Sequence, residues 1–562
     1  MKKINLIILF LFSSVMTIAQ TNPVITTWLI NTTNIMGRHY VSGNYTPIND
    51  NVLANIQMVR YSTNWVYINT NGIPSYVTGP YLDGNPSLAS SQNAIFKFPL
   101  NPLQNTGTLT NTSGGNIGIF INGVALFDYR DGVSWQFSSS SLKGGPLGGT
   151  GDGVWNRDAI VAERNGFDCS KGHPAMGNYH HHQNPSAFKL DLSVISTICN
   201  LYNADGLYAI DSTKHSPLIG FAYDGFPIYG AYGYRNVNGS GGITRMKSSY
   251  AKRSITIRTH YADGTNVTDG PTVSATYPLG YFREDYQYNA TSSSTPDYLD
   301  SHNGRFCITP EYPNGTYAYF ATVDANWNSA YPYAVGPTFY GIKSALKVTT
   351  IGETVTTYTT PIVTALNLKL FIEGMYISGG EMNPALYNSG ISINARLVDT
   401  ISVELHQATS PFSLVESAKA ILKIDGTAAL SYSSTRTGNS YYIVVKHRNA
   451  METWSANPVL MSANTAFDFS INQSKAFGNN MKQTADASCW AFISGDISSV
   501  AFGIGSQDGI VESQDYSDLE NAVQLVSAGY EFEDITGDGL VESDDYSVME
   551  NNLYFVFTSM HP

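Results

Sequence analysis

Four of the 11 histidines in this chain fall between positions 173 and 182. Three of them are consecutive, in Tyr179-His180-His181-His182, and His173 stands upstream in Gly172-His173-Pro174. On an extended strand successive side chains alternate, so His180 and His182 share one face and His181 takes the other. A His-x-His pair on one face is a compact chelate, and imidazole suits Zn, Cu, Fe or Ni. The glycine turn at Gly172 can bring His173 in as a third imidazole. The polar groups expected to converge are His173, His180, His182, His215, Asp224 and His302, with Arg305 and Glu311 near them in the chain. Three imidazoles plus a carboxylate make a Zn or Cu site, or a two-His-carboxylate Fe site. With an open coordination position such a site activates water or oxygen. The competing reading is structural: histidines packed among tyrosines can fix loops by hydrogen bonds alone.

A second concentration of ligand atoms lies near the C-terminus. Asp534-Ile535-Thr536-Gly537-Asp538-Gly539-Leu540-Val541-Glu542-Ser543-Asp544-Asp545 places oxygen side chains at loop positions 1, 3, 5, 9 and 12. These are Asp534, Thr536, Asp538, Glu542 and Asp545. Gly539 stands at position 6, where the loop turns tightly, and Leu540 offers its carbonyl at position 7. That is the layout a hard cation such as Ca²⁺ requires, with Asp in place of a bidentate Glu at position 12. An earlier copy aligns from position 3 onward: Ser506, Asp508, Ile510 (carbonyl), Glu512 and Asp515. Its position 1 is not adjacent. Asp496 is the nearest candidate, and it requires residues 498 to 505 to loop out. An acidic, solvated turn is the alternative for both copies.

The repeated Asp-Gly-x-Val-Glu-Ser-x-Asp-Tyr-Ser signature, each copy followed by one short helix, resembles the type I dockerin module over about 495 to 554. The resemblance implies two Ca²⁺ loops and a cohesin-like or other docking protein as partner. Tyr516-Ser517 and Tyr546-Ser547 follow the two loops at equivalent places and are the candidate recognition residues. Other catalytic templates are missing from the sequence: it contains no G-x-S-x-G elbow, no H-E-x-x-H and no P-loop.

Met1-Lys2-Lys3 precedes a mostly apolar stretch ending in Thr17-Ile18-Ala19, the pattern of a secretory signal peptide cut before Gln20. The expected location is therefore secreted or cell-surface. No other run approaches the ~18 to 20 apolar residues of a membrane span. The net charge of −13 argues against nucleic acid and anionic membranes. Among the four cysteines, Cys169 and Cys199 flank the histidine segment and form the expected disulfide in an oxidising compartment. The connectivity involving Cys307 and Cys489 stays open.

Only 13% of the 562 residues are charged, while Gly (50) and Tyr (37) abound. This composition favours β domains over helical bundles. Four zones follow the signal (1–19): a Gly/Tyr/Asn-rich domain (20–348), a Thr/Val-rich linker or edge strand (349–362), a second β domain (363–494) and the calcium-loop module (495–562). In the second domain, Ile401-Ser402-Val403-Glu404-Leu405-His406 alternates apolar with polar. Ser440 to His447 is β-rich, and Ile424-Asp425-Gly426-Thr427 offers a turn, so a β-sandwich is expected. Trp454 is a core residue or, alternatively, a sugar platform, which makes a carbohydrate a candidate ligand.

Tyr179-His180-His181-His182 resembles the signature of the YHYH protein family, with His181 at the second Tyr position. Ile121-Asn122-Gly123-Val124, the segment from His215 to Gly230, Asp300-Ser301-His302-Asn303-Gly304-Arg305 and the segment from Thr309 to Phe320 agree with the same family, over roughly 85 to 345. The resemblance implies no mechanism. The expected fold is mainly β and multidomain: a β-rich YHYH-like domain, a β-sandwich and a small helical calcium-loop module. The expected function is a secreted calcium-binding protein with a transition-metal site and a docking tail. A secreted metal-dependent hydrolase or oxidase run by His180 and His182 is the alternative.

Overall fold

Alternating and continuous apolar runs become sheets on both sides of residue 360. The computed structural model describes residues 22–81, 87–185, 212–292 and 294–562. The expected signal peptide and Cys199 therefore lie outside the described residues. Cys169 is disulfide-bonded, while Cys307 and Cys489 are free thiols. The chain is mainly β with a few short helices, and it divides into two units. The first runs to Val237 and from Gly241 to Thr360; the second comprises Asn238–Ser240 and Pro361–Pro562.

The first unit is built on an eight-stranded sheet. Its strands are β1 (Asn116–Phe120), β2 (Ala125–Phe127), β3 (Gly172–Ala175), β4 (Asn178–His181), β5 (Leu218–Ala222), β6 (Pro227–Tyr229), β7 (Gly304–Cys307) and β8 (Thr316–Phe320). Their spatial order is β3-β4-β2-β1-β5-β6-β8-β7. Every residue of β5 and of β8 is buried. Such strands, covered on both faces, read as apolar runs and not as alternation. A five-stranded sheet through Ile56–Tyr61, Trp65–Thr70 and Ala94–Pro99 shares the same core. Trp28 joins them, its ring 5.6 Å from Phe98 and 5.2 Å from Phe221. The Thr/Val-rich bridge contributes Thr356–Thr357 as an edge strand of the five-stranded sheet, paired with Ile56–Tyr61.

Arg258 and Asp285 form a fully buried ion pair in this unit, with nitrogen–oxygen distances of 2.7 and 2.9 Å. The same guanidinium donates to the carbonyls of Pro271, Tyr277 and Pro278 and so ties down an otherwise irregular segment. Removing one partner of a buried pair strands the other charge. The variant Arg258→Ala is expected to lose about 3–5 kcal/mol in chemical denaturation. A midpoint unchanged from wild type would refute this.

In the second unit two sheets enclose one core. One holds β9 (Val363–Lys369) between Thr427–Ser433 and Asn464–Asp468; the other joins Leu414–Lys423, Leu397–Gln407, Ser440–His447 and Ala450–Trp454. Ile401, Val403 and Leu405 are fully buried, as the alternation predicts, and meet Leu366, Leu368 and Leu430 in the shared core. Trp454 is 7% exposed, its ring against His406 and Tyr442, which fits a core residue and not a sugar platform.

Candidate metal centre

The histidine site begins with a turn. Between β3 and β4, Met176 and Gly177 both take positive φ (48° and 83°), the backbone of a two-residue type I′ hairpin. The hairpin sets the register so that His173 lies directly opposite His180. The third imidazole thus arrives across the hairpin at Met176-Gly177. The expected turn at Gly172 does not bring it. Gly172 lies inside β3, where a Cβ would sit 2.4 Å from the Tyr179 ring and 2.9 Å from the His181 ring.

Alternation along the strand does the rest. His180 and His182 face one side, and their Nε2 atoms are 3.1 Å apart. Among the described residues, His173, His180 and His182 form the group whose ligand atoms all lie within 4.8 Å of one another. His181 points away, as alternation predicts. Its Nε2 meets the Tyr76 hydroxyl at 2.9 Å, and its ring stands edge-on to Phe120. Burial pushes the His181 pKa down to about 3, so it is neutral.

Sequence reasoning missed the fourth member, Glu163. Its Oε2 lies 3.1 Å from His182 Nε2 and 3.2 Å from His173 Nε2. Glu163 ends a five-residue helix, α1 (Ala159–Glu163), whose N-cap is Asp158. The Asp158 carboxylate accepts from the Ile160 and Val161 amides and from the Tyr333 hydroxyl, and this aims the helix. The sequence carried one usable signal: an aspartate before Ala-Ile-Val-Ala-Glu reads as a helix cap.

The proton positions follow from the partners. His180 Nδ1 donates to the Asn178 carbonyl at 2.9 Å, and His182 Nδ1 donates to the Asp128 carbonyl at 2.5 Å. Carbonyls only accept, so both rings keep a proton on Nδ1 and aim Nε2 into the cluster, where His182 Nε2 also faces the Glu163 carboxylate. The two Nε2 atoms are 3.1 Å apart, a spacing that a shared proton or a cation satisfies and that two bare lone pairs would not. Burial drives the His180 pKa well below the imidazole value, reinforced by the two neighbouring histidines. Burial also acts against a charged His182, but the hydrogen bond and charge of Glu163 outweigh it and raise its pKa. Burial opposes ionisation of Glu163 too, yet the bonds from His173 and His182 hold that carboxyl below its ordinary value.

Aromatic rings wall the cluster. Phe127 stacks on His180 with centroids 3.8 Å apart, and Phe167 stands edge-on to His173 at 4.9 Å. The small apolar pocket beside His182, lined by Phe127 and Tyr129, has no room for a water-sized molecule. Glu163 is the most solvent-exposed member at 23%, against 7% for the His173 side chain and 3% for His182.

Three expected ligands stand apart from this group. His215 bonds the Ser216 carbonyl through Nδ1 and faces Tyr229, Tyr234 and Phe320. Asp224 accepts from the Tyr319 hydroxyl and from the Phe226 and Gly341 amides; its burial pushes its pKa up to about 6. His302 bonds the Thr338 hydroxyl at 2.6 Å. Asp224 and His302 thereby tie distant segments together, while His215 bonds its chain neighbour. Arg305 donates to the carbonyls of Tyr234, Arg235 and Pro296, and Glu311 accepts from Tyr229.

The acidic loops of the second unit repeat one hydrogen-bond pattern, each leading into a helix: α2 (Ser513–Gln524) and α3 (Ser543–Leu553). In the later copy Asp545 accepts from the amides of Ile535, Thr536 and Glu542. In the earlier one Asp515 accepts from Ile497, Ser498 and Glu512. Asp534 and Asp496 likewise accept from the equivalent Gly539 and Gly509 amides. Asp496 therefore makes the same backbone contact as Asp534 despite the intervening segment. Tyr516 and Tyr546 pack on each other at 5.6 Å, leaving Ser517 and Ser547 exposed.

The family described as YHYH protein matches residues 95–332. The match spans the hairpin, Glu163 and the four signature stretches, so the chain carries a YHYH domain. The departure at His181 falls on the side of the strand away from the cluster. No curated protein matches the chain.

Proposed function

We propose that the YHYH domain of this chain holds one transition-metal ion on His173, His180, His182 and Glu163, within a secreted multidomain β protein whose C-terminal loops hold Ca²⁺. One observation carries the transition-metal reading. Three imidazoles and one carboxylate converge while the Nδ1 protons of two rings are committed to backbone carbonyls. Metal-bound histidines typically donate their other ring N–H in this way. Three nitrogens and one oxygen suit Zn, Cu or Fe. Four protein groups can fill a tetrahedral shell, which suits a structural or electron-transfer role better than water activation.

The basis for the calcium loops is the repeated ligand layout and the equivalent placement of Asp496 and Asp534. Secretion rests on the N-terminal sequence pattern, and a docking role rests on the dockerin resemblance together with the exposed Ser517 and Ser547. One feature favours a second reading, a metal-dependent hydrolase or oxidase. Glu163 is the ligand nearest solvent, and its displacement would open a coordination position. Elemental analysis of the mature protein, purified without a histidine tag or chelator, tests the proposal. About one transition metal per chain together with calcium is the expected result. A folded protein that stays free of Zn, Cu and Fe after incubation with each would overturn the metal site.

A further inference from the structure

A cleft of about 660 Å³ opens on the first unit and is lined by residues that the metal site does not use. Small-molecule sites typically span ~300–1,000 Å³. Its aromatic surface comes from Phe226, Phe306, Tyr312 and Tyr340. Phe306 lies on the edge strand β7 and is 56% exposed, which is unusual for so large an apolar ring. Tyr340 is held flat on Tyr317, with centroids 3.5 Å apart and planes 1° from parallel. Tyr317 is fixed in turn by donating to both oxygens of Asp300, and Phe226 stands edge-on to both tyrosines. The floor is thus rigid before any ligand arrives, so little side-chain entropy is lost on binding.

The polar rim decides the ligand class. Asn101, Gln104 and Asn314 contribute neutral amides, each able to donate and accept. Glu311 is the charged residue of the lining, and it already accepts from the Tyr229 hydroxyl at 2.8 Å. Among the described residues no lysine or arginine lines the cleft to attract an anion, and Glu311 is the one carboxylate there. The complement is a neutral molecule that lays C–H faces on aromatic rings and offers hydroxyls, both donor and acceptor, at its edges. We infer that this cleft binds a neutral saccharide chain, with Phe306 and Tyr312 as stacking platforms and the amides of Asn101, Gln104 and Asn314 reading the hydroxyls.

The test titrates the intact protein calorimetrically with cellohexaose, xylohexaose, mannohexaose and laminarihexaose at millimolar concentration. At least one should bind, with an affinity that is the same at low and high salt, because the ligand is neutral. Phe306→Ala removes an exposed ring, so the fold should survive, as circular dichroism will report. Its affinity should fall about three- to tenfold, and the double variant Phe306→Ala/Tyr312→Ala should fall further. The inference is overturned if no hexasaccharide binds, or if binding is unchanged in Phe306→Ala and in the double variant.

Discussion

Replacing His180 and His182 together by alanine is expected to abolish transition-metal binding and to lower the melting temperature of the YHYH domain by on the order of 10 °C. A ligand at a thousand times its dissociation constant adds about 4 kcal/mol to the folded state, and that contribution vanishes with the site. The two rings aim Nε2 atoms that are already oriented, because their Nδ1 protons are held by the Asn178 and Asp128 carbonyls. Alanine removes the ligand atoms but leaves β4 paired with β3. Added Zn, Cu or Fe should raise the melting temperature of wild type and leave the double variant unmoved. His181→Ala is the matched control. It deletes a buried ring from the opposite face and should cost stability, yet retain metal stoichiometry. Glu163→Gln keeps the shape and loses the charge, so the metal should stay but bind at least about 10–100-fold more weakly. Full metal retention in the double variant would assign the bound ion to other residues.

Chelating calcium is expected to loosen residues 495–562 and to make the stability of the second unit sensitive to pH. Burial pushes the Asp534 carboxyl up to about 7, and the neighbouring Asp545 adds to it. Burial, then Asp515 and Asp508, push Asp496 up to about 8. In the unfolded chain these groups titrate near 4. With folded values raised, their contribution to stability is fully present below about pH 4 and is lost as pH rises through about 7 to 8. Without calcium, the melting temperature of this unit should therefore fall between pH 5 and pH 9. A divalent cation stabilises the ionised carboxylates, so saturating Ca²⁺ should remove that fall. The effect should reach the sandwich, because the later loop is seated on it. Asn449, Asn383 and Asn388 donate their side-chain amides to the carbonyls of Asp534, Thr536 and Gly537. Hydrogen exchange would show the amides of 534–545 losing protection in chelator, with Asn449→Ala producing part of the same loss in calcium. Identical exchange and melting in calcium and in chelator would sink the prediction.

Periodicity made much of the second unit legible. Ile401, Val403 and Leu405 alternate with polar residues because one face of their strand is buried. Gly426 takes the positive φ that the turn before Thr427 needs. The first unit was less open to such reading. In strands covered on both faces, such as β5 and β8, the alternation disappears, and the sheet order depends on pairings between distant segments.

The sequence by itself determined which face of one strand holds His180 and His182, since a side-chain period of two admits no other outcome. It also determined the order of oxygen-bearing side chains in the acidic loops, which is local to the chain. Only the tertiary structure decided which distant groups join them. A two-residue turn with positive φ at Met176 and Gly177 sets His173 opposite His180. A single helical turn capped by Asp158 delivers Glu163, an acid with no distinctive spacing to the histidines. His215, Asp224 and His302 belong to the same family signature, yet each bonds groups outside the cluster: the Ser216 carbonyl, the Gly341 amide and the Thr338 hydroxyl. Membership of a motif records which residues occur together. Convergence of ligand atoms depends on strand register and helix direction, and both are fixed by packing.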